Sequence, residues 1–277
     1  MPVTFCTLAS GSGGNSALLR ADGLGLLIDV GLDERLIGSR LAAIGAGWKD
    51  VTAVLLTHAH TDHWNDFALA QMRRLNVPFY CHPDHELTLN RYGGEFAALR
   101  KAGLVRPYEN LKPFPLTPAV AAVPVQVPHD SDPTFGFRVA GETAAGTPWA
   151  VGYASDLGAV PEEVFAAFQD VRLLALEFNH DEAMQRKSGR PQFLIRRVMG
   201  NRGHLSNTQA TEAVRKLMGL SPTPALRHLV QLHLSQDCNT PALASAAARE
   251  MFAELQLPVQ VTTAGQHSPS PVLTVAD

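Results

Sequence analysis

Three histidines and one aspartate fall within six consecutive residues, His58-Ala59-His60-Thr61-Asp62-His63. They come directly after the apolar run Val51–Leu56, whose composition indicates a buried strand. Packing alone is a poor reason to place such polar groups at a strand end, and imidazole is the commonest metal-binding side chain. The segment therefore predicts a metal site at the open end of a strand. The alternative is a polar loop without a ligand.

Strand-like and helix-like segments alternate along the first third of the chain. Val3–Leu8 and Leu24–Asp29 have apolar strand patterns, whereas the apolar spacing of Leu36 to Ile44 and of Phe67 to Leu75 is helical. This alternation predicts an α/β protein with helices packed against sheet.

Later strand candidates also end in histidine or a carboxylate. The residues that follow these apolar runs are His129, Asp156, Glu177 and His233. In open α/β structures, sites form where strand ends open into loops. Each residue alone is more often a turn or a satisfied polar group, but their recurrence predicts one shared site.

The composition narrows the class of protein without indicating a ligand. A chain of 277 residues suffices for one large domain or two small ones, and its net charge of −3 gives no global support to nucleic-acid binding. Three widely spaced cysteines predict neither a disulfide framework nor a Cys-rich zinc module. No basic region precedes the apolar N-terminal residues, and no apolar run approaches the roughly 18 residues that span a bilayer. We therefore expect a cytoplasmic protein with no membrane segment.

The order of these motifs resembles the metallo-β-lactamase superfamily. Four further segments are similar to its bacterial YycJ-type branch, which is related to ribonuclease Z: Ser10–Ser16, Glu177–Asp181, Gly203–Asn207 and His233–Ser235. The resemblance covers about residues 3–260 and implies an α/β fold, the four-layer αββα sandwich. We expect residues 1–267 to form a single domain of this type, and the composition of residues 268–277 predicts a flexible C-terminal tail.

The resemblance also implies two divalent metal ions. By this correspondence, one ion would be held by His58, His60 and His129, and the other by Asp62, His63 and His233, with Asp156 bridging them. Zinc is the first expectation and manganese the second, and iron stays open because histidine and carboxylate ligands suit all three. A metal-bridging hydroxide would be the nucleophile, and Asp62 would orient it or take its proton. Esters, amides, thioesters and phosphodiesters all remain open as substrates.

Three features favour phosphodiesters, two of them at His204 and the third a basic segment described below. Gly203-His204-Leu205-Ser206 resembles the ribonuclease Z segment whose histidine helps to protonate the leaving oxygen, aligned by a glutamate. Here these catalytic residues would be His204 and Glu177. His204 also precedes a helix start at Ser206, where free N–H groups suit a phosphate. The alternative is that His204 only packs beside the helix cap.

A basic segment lies between two of the site motifs. With no acid between Glu182 and Glu212, its six positive charges are Arg186, Lys187, Arg190, Arg196, Arg197 and Arg202. Such a segment suits a nucleic-acid backbone, although an ordinary solvated surface is the alternative. Phe193 is the only aromatic residue nearby, so sequence-specific reading of a single strand is not indicated.

Further candidates for substrate contact are Ser12, Asn15, His180, Asn207, Arg197 and Arg202. The Gly-rich loop with Ser12 and Asn15 is alternatively a tight turn. Alternatively, Asn179, His180 and Asp181 support the metal ligands. Asp29 is a further candidate for such support.

These features together predict a metal-dependent phosphodiesterase acting on nucleic acid. The resemblance implies a DNA exonuclease of 5′-to-3′ direction, and no residue fixes that direction. No segment indicates an obligate protein partner. The rival enzyme is a small-molecule thioesterase or lactonase of the same fold. A metal-dependent sensor without turnover is a further rival, which the full ligand set and His204 disfavour.

Overall fold

A computed structural model describes residues 1–92, 94–131, 133–221 and 224–277. The strands are β1 (Val3–Ala9), β2 (Ser16–Ala21), β3 (Leu24–Ile28), β4 (Ala53–Leu55), β5 (Phe79–Cys81), β6 (Val105–Pro107), β7 (Phe114–Thr117), β8 (Val120–Val127), β9 (Thr134–Glu142), β10 (Pro148–Ala154), β11 (Leu173–Glu177), β12 (His228–Leu232), β13 (Gln260–Thr263) and β14 (Leu273–Ala276). The helices are α1 (Glu34–Ala43), α2 (Asp66–Leu75), α3 (His85–Tyr92), α4 (Glu95–Lys101), α5 (Glu162–Phe168), α6 (Glu182–Lys187), α7 (Gln192–Val198), α8 (Asn207–Gly219) and α9 (Pro241–Glu254).

The strands form two mixed sheets. Sheet A has the order β14-β1-β2-β3-β4-β5-β6, and sheet B has the order β13-β12-β11-β10-β9-β8-β7. In sheet A, β3 to β6 are parallel, and in sheet B β10 to β13 are parallel. Parallel strands end at the same edge, so the loops after them meet there.

Apolar side chains fill three layers around the sheets. Phe5 and Leu26 of sheet A meet Phe137 and Tyr153 of sheet B in the core between the sheets. A second core lies between sheet A and helices α1 to α4, and a third lies between sheet B and helices α5, α8 and α9. This arrangement confirms the predicted four-layer αββα sandwich.

The last residues of the chain differ from the expected flexible tail. Residues Leu273–Ala276 form β14, which pairs antiparallel with β1 at the edge of sheet A. Leu273 and Val275 point into the core between the sheets, where each is only 4% exposed. Without β14, the edge of β1 would leave backbone groups unpaired. The alternating apolar residues of the terminal segment make it suited to cover this edge.

Within the described residues, every helix is too short or too polar to cross a membrane.

Candidate dinuclear metal centre

The residues predicted to bind metal follow strands of both sheets. The segment His58–His63 comes after β4 of sheet A, whereas His129, Asp156 and His233 come after β8, β10 and β12 of sheet B. The side chains that these loops carry approach one another closely, which shows that the loops meet at one edge of the sandwich.

Two triads of candidate ligand atoms lie at this edge, and in each triad all ligand atoms are within 4.8 Å of one another. The histidine triad consists of His58, His60 and His129, and the mixed triad consists of Asp62, His63 and His233. These are the two sets that the family resemblance implied, and each combines residues from both sheets.

Asp156 lies between the two triads. It forms a further group with His58 of the histidine triad and His63 of the mixed triad. Its Oδ2 is 3.1 Å from His63 Nε2, and its Oδ1 is 3.4 Å from His233 Nε2. Asp156 therefore lies between the two triads, and its bridging role stays a prediction.

Unpartnered buried nitrogens show that these residues fit divalent ions. The Nε2 atoms of His58 and His233 are buried and have no hydrogen-bond partner among the described residues. Burying a polar atom without a partner costs free energy, and a cation bound to the imidazole lone pair would remove that cost. The surrounding histidines and carboxylates are the donor set of zinc, manganese or iron sites.

The surroundings of two ligand histidines shift their pKa values in opposite directions. Burial, and next the neighbouring His63 cation, hold the pKa of His58 well below its usual 6.5. Burial alone would also lower the pKa of His63, but the carboxylates of Asp29 and Asp156 raise it well above that value. A neutral imidazole is the ligand form, so His58 needs no deprotonation, whereas binding at His63 displaces a proton.

Asp29 orients the ring of His63. Its Oδ2 accepts a hydrogen bond from His63 Nδ1 at 2.8 Å, and its Oδ1 accepts one from the Thr57 backbone N–H at 2.8 Å. With Nδ1–H committed to Asp29, Nε2 is the nitrogen of His63 that would bind an ion once its proton is displaced. Thr57, which the sequence analysis missed, adds a hydroxyl 3.0 Å from His58 Nδ1. Its position directly before the first histidine is the only sequence signal for it.

Three site residues turn the backbone sharply at their strand ends. Asp29, Asp156 and His233 have φ values of 63°, 59° and 54°. The left-handed region is unfavourable for most side chains, although aspartate and histidine tolerate it better than branched residues do. Strained backbone of this kind concentrates at functional sites, and here it directs three side chains towards the same centre.

Asn15 and Gly31 hold the histidine loop in place. The Asn15 backbone N–H donates to the Asp62 carbonyl at 2.7 Å, and the Asn15 side-chain amide lies 3.0 Å from His63 Nε2. A Cβ at Gly31 would lie 1.8 Å from the Asp62 carbonyl oxygen, so only glycine permits this approach. Asn15 is fully buried, which is at odds with the expected substrate contact and makes it a support of the loop.

His204 and Glu177 form a close pair beside Asp156. His204 Nδ1 is 2.7 Å from Glu177 Oε1 and 3.7 Å from Asp156 Oδ1. Glu177 is completely buried, and its Oε2 accepts backbone N–H groups from Leu157 and Leu205. Burial lowers the pKa of His204, but the Glu177 carboxylate outweighs it and raises that pKa above 6.5.

The pair opens into a cavity of about 210 Å³. We call it the His204 cavity; its lining includes Ser12, Asn179, Arg190, His204 and His233. Ser12 is exposed and lines this cavity, and its contact with substrate stays a prediction.

Two other residues expected to contact substrate are enclosed by the protein. His180 is completely buried, and Asn207 is 5% exposed. The side chain of Asn207 exchanges two hydrogen bonds with Asn239, and its backbone N–H donates to the His180 carbonyl. The backbone contact between Asn207 and His180 ties the start of α8 to the loop after β11, and the burial of both side chains is at odds with the expected substrate contact.

The basic segment is less open to nucleic acid than its sequence indicated. Arg186 pairs with Glu182, Arg190 with Asp237 and Arg197 with Asp130. The acids lie elsewhere in the chain or at the edge of the segment, so the sequence alone could not show the pairing. Arg202 donates through Nε to the His129 carbonyl at 3.0 Å, which places it beside the histidine triad.

Replacing Asp29 by asparagine should weaken metal binding while leaving the fold intact. Asparagine keeps the size of the side chain and tolerates the positive φ, but it removes the charge that orients His63. We expect about a 10- to 100-fold loss of affinity at one ion, measured by competition with a chromogenic chelator. Asp22→Asn, an exposed aspartate in the turn between β2 and β3, is the matched control. Unchanged affinity for both ions would show that Asp29 does not act through the metal ligands.

Comparisons with known proteins agree with this geometry. The model of the beta-lactamase superfamily domain matches residues 26–226. Exodeoxyribonuclease YycJ of Bacillus anthracis is 25% identical over 256 residues, which cover 92% of this chain and 90% of the relative. Ribonuclease Z of Mycolicibacterium gilvum is 45% identical over 53 residues, which cover 19% of this chain and 18% of the relative.

Among solved structures, the short form of human tRNase Z has the same fold. It superposes with a TM-score of 0.63 at 16% sequence identity, covering 99% of this chain and 100% of that one. The family match spans most of the chain and includes the histidine loop, His129 and Asp156. The protein is therefore a member of the metallo-β-lactamase superfamily of hydrolases.

Proposed function

We propose that this protein is a dinuclear metal-dependent phosphodiesterase that acts on nucleic acid, and specifically a DNA exonuclease. The observation that carries the proposal is the His204–Glu177 pair, which stands beside Asp156 at the wall of an open cavity. A proton donor placed next to a candidate metal centre suits an alkoxide leaving group, such as the sugar oxygen of a nucleotide.

The histidine triad would hold one ion, the mixed triad would hold the other, and Asp156 would contact both. When bound, such ions acidify water and stabilise negative charge on a phosphodiester. We propose zinc as the first candidate and manganese as the second, because both accept this mixture of imidazole and carboxylate.

His204 would deliver a proton to the leaving oxygen. Its Nδ1 is engaged by Glu177, so Nε2 is the nitrogen left to face substrate. The Glu177 carboxylate is fixed by two backbone N–H groups, which in turn fixes the direction of the His204 ring. Asp62 is the candidate to orient the attacking water or take its proton, since its side chain is 23% exposed at the centre.

The comparisons support DNA over RNA as the substrate. Relatives that match nearly the whole chain are named exodeoxyribonucleases, whereas the likeness to the Mycolicibacterium gilvum ribonuclease Z covers 53 residues. All three cysteines are free and buried, which supports a reducing cytoplasmic compartment.

A substrate panel tests the proposal. We expect the protein, loaded with zinc or manganese, to release nucleotides from end-labelled DNA, and the Asp62→Ala variant to lose about 100-fold or more of this rate. The panel includes RNA, a thioester and a lactone, and metal content is measured on both proteins. Labels at the 5′ and 3′ ends report the direction of cleavage. Hydrolysis of the thioester or lactone without cleavage of DNA would contradict the proposal.

A further inference from the structure

A second groove leaves the candidate metal centre on the side of the histidine triad. It encloses about 520 Å³ and differs from the His204 cavity in its lining. We call it the α3 groove; it is lined by Ala59, His60, Leu87, Thr88, Arg91, Tyr92, Asp130 and Ser131. The presence of His60 in both the groove and the triad makes the groove continuous with the centre.

Helix α3 presents large side chains to this groove. Leu87 and Arg91 are four residues apart, so they lie on the same face of the helix, next to Tyr92. Leu87 is 83% exposed and Tyr92 is 62% exposed. Apolar and aromatic surface left uncovered beside a site indicates a binding surface.

Arg91 adds an unpaired positive charge. Among the residues that the structure describes, none forms a salt bridge or hydrogen bond with its side chain. Its guanidinium lies over the Tyr92 ring, 5.4 Å from the centroid, and Tyr92 is 62% exposed. Arg91 thus differs from Arg186, Arg190 and Arg197, each of which is already paired with a carboxylate.

The one acid that lines the described part of the groove is already compensated. Asp130 forms a salt bridge with Arg197, and its Oδ1 lies 3.4 Å from His129 Nε2. The carboxylate therefore presents little net repulsion to an anion that enters along α3.

We propose that the α3 groove is a nucleotide subsite, in which Tyr92 and Leu87 stack on a base and Arg91 contacts a phosphate of the same strand. The inference rests on the proposed nuclease function and specifies its substrate. A base held against the Tyr92 ring has to leave the duplex, so the substrate would be a single-stranded or frayed DNA end.

The α3 groove and the His204 cavity would hold the two parts of the substrate that lie on either side of the cleaved bond. His204, the candidate proton donor, lines the other cavity, so the leaving nucleoside would lie there. The nucleotide in the α3 groove would then be the one that keeps the phosphate after cleavage.

The test compares a single-stranded oligonucleotide with methyl p-nitrophenyl phosphate, whose one aromatic ring is the leaving group, so that it has no ring to place in the α3 groove. The measured quantity is the ratio of kcat/KM for the two substrates, so that changes at the metal centre cancel. We expect the ratio to fall about 10-fold for Tyr92→Ala and to be retained by Tyr92→Phe, which keeps the ring. For Arg91→Ala, we expect the slope of log affinity against log salt to fall by about 0.7, the value of one phosphate contact on a single strand. Arg74→Ala is the control, because Arg74 is exposed on α2 and lines neither cavity.

An abasic scan of the oligonucleotide identifies the stacked base. An abasic site at one position beside the cleaved bond should slow the parent protein about 10-fold and have no further effect on Tyr92→Ala. If the parent cleaves both substrates and Tyr92→Ala keeps the parent ratio and the parent abasic profile, the α3 groove proposal is overturned and the nuclease function stands. If the metal-loaded parent cleaves neither substrate, both proposals are overturned.

Discussion

Conversion of Asp156 to asparagine is expected to lower the hydrolytic rate by about 10³-fold or more and to reduce the number of bound cations. Asp156 is the only carboxylate that joins residues of both triads among the ligand groups found in the described chain. Asparagine preserves the shape and tolerates the φ of 59°, so the variant removes charge without forcing the backbone to move.

The measurement is metal content by mass spectrometry together with the rate on bis(p-nitrophenyl) phosphate. Asp170→Asn is the matched control, because Asp170 also has a positive φ, 56°, and is exposed outside the metal centre. If the Asp156→Asn variant keeps two ions and hydrolyses the diester at a rate within threefold of the parent rate, Asp156 does not have the bridging role.

Conversion of His204 to alanine is expected to lower the rate of DNA cleavage by about 10²- to 10⁴-fold, the range for loss of a positioned general acid. The loss should depend on the leaving group. The p-nitrophenolate anion leaves without a proton, whereas a sugar alkoxide needs one. The variant should therefore lose much less activity on bis(p-nitrophenyl) phosphate than on DNA.

His228→Ala provides the control for this substitution. His228 begins β12, at the opposite end of that strand from His233, and its ring contacts the Thr274 carbonyl. An equal loss on both substrates for His204→Ala would assign His204 to the structure of the centre instead of to proton transfer.

The strand ends explain why much of the site was predictable from the sequence. An apolar run followed by His or Asp is a local pattern, and parallel strands bring such ends to one edge without any further information. The histidine loop after β4 and the residues after β8, β10 and β12 follow this rule. Their assignment to two triads came from the family resemblance, since spacing does not show which side chains meet.

The remaining features depend on contacts between distant segments. Asn15 looked like a polar group in an open Gly-rich loop, but the loop folds under the histidine segment and buries it. The six basic charges looked free because Asp130 and Asp237, which pair with two of them, lie outside the segment. Only tertiary structure could reveal either arrangement.

The elements around the α3 groove were also missed. His85–Tyr92 forms α3 and Glu95–Lys101 forms α4, but the exposed Leu87 and Tyr92 interrupt the one-sided apolar pattern that marks a surface helix. The same two side chains are the reason to propose a binding surface there.

Each candidate triad contains ligands from sheet A and ligands from sheet B, so an ion bound to either one would cross-link the two halves of the sandwich. Binding to the folded chain alone adds about 2.7 kcal/mol of stability when free metal exceeds its dissociation constant 100-fold. A cell that runs short of the ion would then lose resistance to proteolysis along with catalysis, because the same contacts restrain the opening of the sandwich.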